Sequence, residues 1–305
     1  MRSSAILLLL LSPFLLYAGG AKESPEVGDS RLEIVVSILP QTYLVKSIAG
    51  ERVSVEVMVP PGKSPSTYEP TPKQVLRLGE ADGFITIGVA FEQSFMPVIE
   101  KNLPDLYIIE GDKHIEKRSI EEHHHDDEDH DEEGSEESDH SEDLDPHIWL
   151  DPLLMKVQAR TITDALILLD SQGSEVYEAG YENTIRELDT LHVKIVDATE
   201  SFTGSTLFTY HPAFGYFTDR YGLEQVAIET GGKEPTPAQL EKVIELAYRD
   251  EVKIILVQPE FPIDSAEVVA KAIDGVVIPV SPLRPDYIES MTELAEAITT
   301  GGSYE

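Results

Sequence analysis

The stretch from Glu175 to Phe202, EVYEAGYENTIRELDTLHVKIVDATESF, decides the fold. Tyr177, Tyr181, Ile185, Leu188, Leu191 and Ile195 recur at three- and four-residue steps, the spacing that lines one face of an α-helix. Such a run is longer than a helix needs to cross one sheet, so it is expected to bridge two bodies. A second helical pattern, Leu153 to Leu169, precedes it. On both sides, short Val- and Ile-rich runs alternate with helical patterns, as parallel α/β sheets require. Strand candidates before the helices are Leu32 to Ile38, Val53 to Val59, Gly83 to Ile87 and Leu106 to Ile109. Those after them are Thr206 to Tyr210, Gln225 to Ile228, Lys253 to Val257 and Val276 to Val280. The expected fold class is α/β, with two Rossmann-like lobes of mostly parallel strands joined by one long rigid helix and a cleft between them. The lobes are expected over 22–150 and 204–305, with a helical connection over 151–203.

Composition narrows the partners. The chain has 305 residues, 41% of them hydrophobic, enough to bury a core. Lys and Arg number 23 against 57 Asp and Glu, a formal net charge of -34 that repels nucleic acid and anionic membranes and favours cations. With no cysteine there is no disulfide or thiolate site, so any metal must be held by nitrogen and oxygen donors. Residues 1–21 carry Arg2, an apolar run from Ala5 through Tyr17 and then Ala18, Gly19, Gly20 and Ala21, the pattern of a secretory signal peptide. The run is short of the about 20 apolar residues that span a bilayer. A periplasmic or extracellular location is expected, and not as a lipoprotein, since no cysteine follows.

From Glu121 to Asp143 there are fourteen acidic residues, no basic ones and five histidines, with nothing apolar to bury. Such a stretch cannot offset its ordering entropy and is expected to be a mobile loop. His123, His124, His125, His130 and His140 beside carboxylates suit loose auxiliary binding of borderline divalent cations such as zinc.

Directly after it comes Asp145-Pro146-His147-Ile148-Trp149-Leu150-Asp151-Pro152, one histidine fenced by two Asp-Pro steps and followed by the only tryptophan. A stiff loop carrying an imidazole, with carboxylates to orient its second ring nitrogen, suits a metal ligand. In Tyr210-His211-Pro212-Ala213-Phe214-Gly215-Tyr216-Phe217, His211 ends a strand and Pro212 is read as opening a helix. That is the carboxyl edge of a parallel sheet, where ligands of open α/β sheets bind. Pro60 to Pro72, stiffened by five prolines, and Val257-Gln258-Pro259-Glu260-Phe261 are expected to face the same cleft.

Together these segments resemble the metal-specific substrate-binding proteins of bacterial ABC transporters, the zinc and manganese uptake family. The likeness extends over essentially the whole chain after the signal. It rests on the Pro-Pro-Gly stretch ending Thr67-Tyr68-Glu69-Pro70-Thr71-Pro72, the acidic His-rich segment, the His147 and His211 segments, Tyr221-Gly222-Leu223 and Gly232-Lys233-Glu234-Pro235. The resemblance implies one ion held between the lobes, delivery to an ABC transporter membrane permease, and His147 and His211 as ligands. It also exposes two departures. Ser66 stands where similar proteins carry histidine, and Ser281, in Ser281-Pro282-Leu283, stands where a carboxylate is expected. Glu260 is the expected replacement ligand, with Glu69 and a histidine of the acidic loop behind it. Zinc is the expected cargo ahead of manganese or iron. No catalysis is expected: the chain has no His-Glu-x-x-His pair and no Gly-x-Ser-x-Gly turn, which speaks against an exported zinc hydrolase. The remaining alternative is a metal-buffering protein without a transport role. A monomer is expected.

Overall fold

Strands β1 (Leu32–Val36), β2 (Val53–Val57), β3 (Gly83–Thr86) and β4 (Tyr107–Glu110) form one sheet in the order β2-β1-β3-β4. A second sheet, ordered β6-β5-β7-β8, is built from β5 (Thr206–Thr209), β6 (Glu224–Ala227), β7 (Ile254–Val257) and β8 (Val276–Pro279). A computed structural model describes residues 31–120, 144–229 and 232–301, so the signal segment 1–21 and the acidic segment 121–143, with its five histidines, lie outside the described residues. All strand pairings are parallel. Each strand falls within two residues of its expected limits. The inner strands β3 and β7 are buried at all four positions, which is why they read as continuous apolar runs.

The helices are α1 (Leu39–Ala49), α2 (Pro72–Leu78), α3 (Ala90–Asn102), α4 (Pro152–Leu169), α5 (Ser174–Thr199), α6 (Gly215–Tyr221), α7 (Pro237–Arg249), α8 (Asp264–Ala272) and α9 (Tyr287–Gly301). In each sheet the chain steps from the first strand to one side and then crosses to the other. The switch points therefore lie between β1 and β3 and between β5 and β7. Both are places where ligands collect at carboxyl edges.

The 26 residues of α5 span about 39 Å at the usual helical rise. It packs on α1 and α4 at one end and on α6 and α9 towards the other, burying Tyr177, Leu188, Leu191 and Ile195. Contact with α1 depends on Gly180, where a Cβ would sit 2.1 Å from the Ile48 carbonyl oxygen. The α-helix stops at Thr199 and a single 3₁₀ turn, Glu200–Phe202, completes the expected segment.

A second tie, which the sequence reading did not contain, is α9. Tyr287 at its start donates to the Trp149 carbonyl at 2.8 Å and stacks on Tyr43 of α1 with centroids 5.4 Å apart. Trp149 in turn donates its indole N–H to the Pro282 carbonyl at 2.9 Å. The larger apolar core consequently runs without a break from β1 and β3 through α4 and α5 to α6 and α9. A smaller core fills the opposite face of the second sheet, beneath α7 and α8. Halves joined by a shared apolar core resist the free relative motion that a bare linker permits. Among the described residues no helix is long and apolar enough to cross a membrane.

Candidate metal centre

His211 lies two residues beyond β5, and parallel register decides what stands beside it. Thr209 pairs with Ala227 of β6 and with Leu256 of β7. Two further residues along each strand bring Glu229 and Gln258 level with His211. The ladder continues that far, with Glu229 N–H donating to the Tyr210 carbonyl at 3.0 Å and Tyr210 N–H to the Leu256 carbonyl at 2.9 Å. Glu229, buried, places Oε1 2.5 Å from His211 Nδ1. Gln258 brackets the His211 backbone, accepting from its N–H at 3.2 Å and donating to its carbonyl at 2.9 Å. The Phe261 ring stacks on the imidazole at 4.7 Å.

With Nδ1 donating to a carboxylate, the lone pair of His211 is assigned to Nε2, the arrangement that orients a metal-ligating imidazole. Burial holds the His211 pKa below its ordinary value of 6.5, outweighing the opposing hydrogen bond to Glu229. The ring is therefore neutral at pH 7, the form that binds metal.

His147 is fixed in the same manner by a different scaffold. Asp145, buried, accepts from the His147 N–H at 2.9 Å and lies 2.7 Å from its Nδ1. The turn Ile148–Leu150 follows, and Asp151 then caps α4 by accepting from Leu153 N–H at 2.8 Å. Asp145 is itself held across the halves. Its N–H donates to the Arg118 carbonyl at 2.8 Å, and its carbonyl accepts from the Tyr216 hydroxyl at 2.9 Å. A Cβ at Gly215 would fall 2.4 Å from Arg118 Nη1, the movable end of a long side chain, and 3.2 Å from Asp145 Oδ2.

The expectation that Pro212 opens a helix is corrected: α6 begins at Gly215. The His211 carbonyl, which a helix opening at Pro212 would offer to Gly215 N–H, is instead engaged by Gln258 and by Ala213 N–H.

The two imidazoles stand with centroids 5.2 Å apart, near perpendicular, on a cavity of about 230 Å³. Their side chains remain 12% and 15% exposed, open enough to reach an ion. Glu260 lines the same cavity. Its Oε1 accepts from Ser281 Oγ at 2.7 Å, while its Oε2 is buried and has no hydrogen-bond partner among the described residues. An orphaned carboxylate oxygen on the same cavity as two oriented imidazoles is a candidate third donor for a divalent cation. Ser66 also lines this cavity, together with Ser64, Gly88, Val89 and Ala90. Glu69 is exposed and does not line it. Among the described residues no three of His, Asp and Glu already converge on one point, so the pair of imidazoles is preformed and a third donor is not.

Sequence reading did not single out Glu229 and Gln258. The signal was present in the register: residues two positions beyond adjacent parallel strands stand side by side, which pairs position 211 with 229 and 258.

Two parallel sheets whose carboxyl edges meet at one cavity, spanned by a single long helix, define a two-lobed binding protein. Comparison with known proteins supplies the family. The family model of the periplasmic zinc-uptake complex component A, ZnuA, matches residues 34–301, and the chain belongs to that family. It is 29% identical over 257 residues to the high-affinity zinc uptake system protein ZnuA of Bacillus subtilis strain 168, covering 82% of this chain and 79% of that one. It is 28% identical over 244 residues to the manganese-binding lipoprotein MntA of Halalkalibacterium halodurans, covering 78% and 75%. Among solved structures, a crystal structure of ZnuA superposes with a TM-score of 0.79 at 30% identity, covering 89% of this chain and 99% of that one. A ZnuA deletion mutant with zinc bound gives a TM-score of 0.80 at 29% identity, covering 90% and 99%.

Proposed function

We propose that this protein is an extracytoplasmic substrate-binding protein that captures a divalent metal ion, zinc first, and delivers it as a monomer to the membrane permease of an ABC transporter. Catalysis has no part in this reading. The observation that carries it is the pair of imidazoles 5.2 Å apart on one cavity, each with Nδ1 committed to a buried carboxylate. His147 and His211 are the nitrogen ligands and Glu260, through Oε2, the oxygen ligand. Ser66 and Ser281 contribute no bond to the ion. The histidines of residues 121–143 act as auxiliary capture sites, and residues 1–21 direct export.

Manganese is the second reading. A relative is titled manganese-binding, and serine in place of imidazole at Ser66 raises the share of oxygen around the cavity, which suits a harder ion.

The test is equilibrium zinc binding by chelator competition on the protein with and without residues 121–143. One cleft site of nanomolar affinity or better, about 12 kcal/mol, supports uptake. Micromolar or weaker binding in the shortened chain would hand zinc capture to the acidic segment and make buffering the better reading.

A further inference from the structure

We infer that Ser281 sets the metal preference of the cleft by holding Glu260 to one free oxygen. This rests on the reading of Glu260 as the carboxylate ligand. Ser281 lies two residues beyond β8, where Val257 pairs with Pro279, so it stands beside the Glu260 turn by the same register rule that places Glu229 beside His211. Val280 N–H donates to the Val257 carbonyl at 2.9 Å, and Ser290 of α9 donates its hydroxyl to the Ser281 carbonyl at 3.2 Å, so the position is tied on two sides.

The direction of the hydroxyl bond follows from its neighbours. Ser281 Oγ accepts from Leu283 N–H at 3.2 Å, which occupies a lone pair. Its single proton is then donated to Glu260 Oε1 at 2.7 Å. Glu260 Oε2 is left buried and bare among the described residues. Hydrogen bonds to a charged acceptor are stronger than those between neutral groups, so turning Oε1 away from Ser281 towards an ion sacrifices such a bond. Glu260 therefore binds through one oxygen. Two imidazole nitrogens, one carboxylate oxygen and a water make the tetrahedral set that zinc adopts. A two-oxygen carboxylate would raise the coordination number and the oxygen share towards what manganese prefers. On this account Ser281 is a residue that keeps the carboxylate one-handed, and the serine that replaces the expected acid is part of a relocated acid–hydroxyl pair.

The experiment compares Ser281→Ala and Ser281→Thr with the unaltered full chain. Zinc and manganese affinities are measured by competition with a chromophoric chelator, and the cleft contribution is taken as the difference from the His147→Ala/His211→Ala chain. Cobalt loading reports coordination number through the strength of the visible bands. Ser281→Ala is expected to narrow the zinc-to-manganese affinity ratio by at least about tenfold and to weaken the four-coordinate cobalt bands, while Ser281→Thr, which keeps the hydroxyl, preserves both. An unchanged ratio and spectrum in Ser281→Ala overturns the inference. So does an equal loss for both metals, which is what a purely structural role produces. An unaltered chain that binds zinc no tighter than the double-alanine chain overturns the cleft reading itself, and the role of Ser281 with it.

Discussion

Glu92 and Glu260 occupy related places in the two halves, each shortly after the inner strand of its sheet, and they are used in opposite ways. Beyond β3, Glu92 turns back on its own chain and accepts from Ile87 N–H at 3.1 Å and Gly88 N–H at 2.7 Å, closing the start of α3. Beyond β7, Glu260 keeps one oxygen bonded to Ser281 and leaves the other without a partner among the described residues. Around its sheet edge the first half accordingly presents Ser64, Ser66, Gly88 to Ala90 and Gln93 to the cavity, with His147 from the loop before α4 as its one nitrogen donor, and the second presents His211 and Glu260 from its sheet edge. A carboxylate at a sheet edge is thus not yet a ligand; its lone pairs must be unspent. One sheet order has been used once to build a stiff wall and once to build donors.

The comparison presupposes that the halves hold each other in place, and the largest effect is expected from cutting that tie. Trp149 is fully buried and bonds to Pro282, while its carbonyl receives Tyr287. Trp149→Ala should cost about 3–5 kcal/mol of stability in denaturant unfolding, the usual range for removing a buried aromatic. A loss below about 1 kcal/mol would mean that the shared core does not depend on this residue.

Next in size is the spent carboxylate. Burial raises the Glu92 pKa from 4.5 to about 7, against the hydrogen bonds it accepts from the Gly88 and Ile87 N–H groups. A folded-state pKa above the unfolded one means that the folded chain holds an extra proton between pH 4.5 and 7. The contribution of Glu92 is therefore full below pH 4.5 and is lost as pH rises through 7, by on the order of 3 kcal/mol. Glu92→Gln should remove that slope from a pH series of unfolding measurements. An identical slope in both proteins would place the proton elsewhere.

Within the donor-bearing half, His211→Ala should weaken zinc binding in the cleft at least about 100-fold, or about 2.7 kcal/mol. Glu229→Gln, which leaves the imidazole but removes its charged partner, should cost about 10–100-fold. Equal affinity for Glu229→Gln and the unaltered protein would show that backbone bracketing by Gln258 orients the ring without help.

How far the sequence could lead is visible in these same residues. The strands were legible because inner strands buried on both faces read as apolar runs, and α5 because its buried stripe keeps helical spacing for 26 residues. His147 and His211 were legible because proline stands directly beside each. Glu229 and Gln258 were not, because their function depends on register between strands, and a single chain read alone carries no mark of which positions stand level. The tie through α9 was hidden for a related reason. Tyr287 reads as an ordinary first-turn aromatic until Trp149 and Tyr43 are seen against it. Ser281 was legible as a departure but not as a partner, since its hydroxyl acquires meaning only 2.7 Å from Glu260.

The smallest expected effect is a gain, and it asks whether the donor-poor wall can be recruited. Ser66 lines the cavity opposite His147 and His211, with its side chain exposed and its N–H bonded to Ser64 Oγ at 3.2 Å. Among the described residues no bond to the Ser66 hydroxyl stands beside that N–H bond, so Ser66→Ala should leave zinc affinity unchanged. Ser66→His adds an imidazole on the stiff, proline-rich loop, where little entropy remains to be lost on binding. If the first-half wall comes within ligand distance when the ion is held, zinc affinity should rise about tenfold, or about 1.4 kcal/mol, and the zinc preference over manganese should rise with it. An affinity no different from that of Ser66→Ala would mean that the wall stays beyond reach. His147, His211 and Glu260 would then hold the ion without it, and the proline-rich loop would act only to cover it.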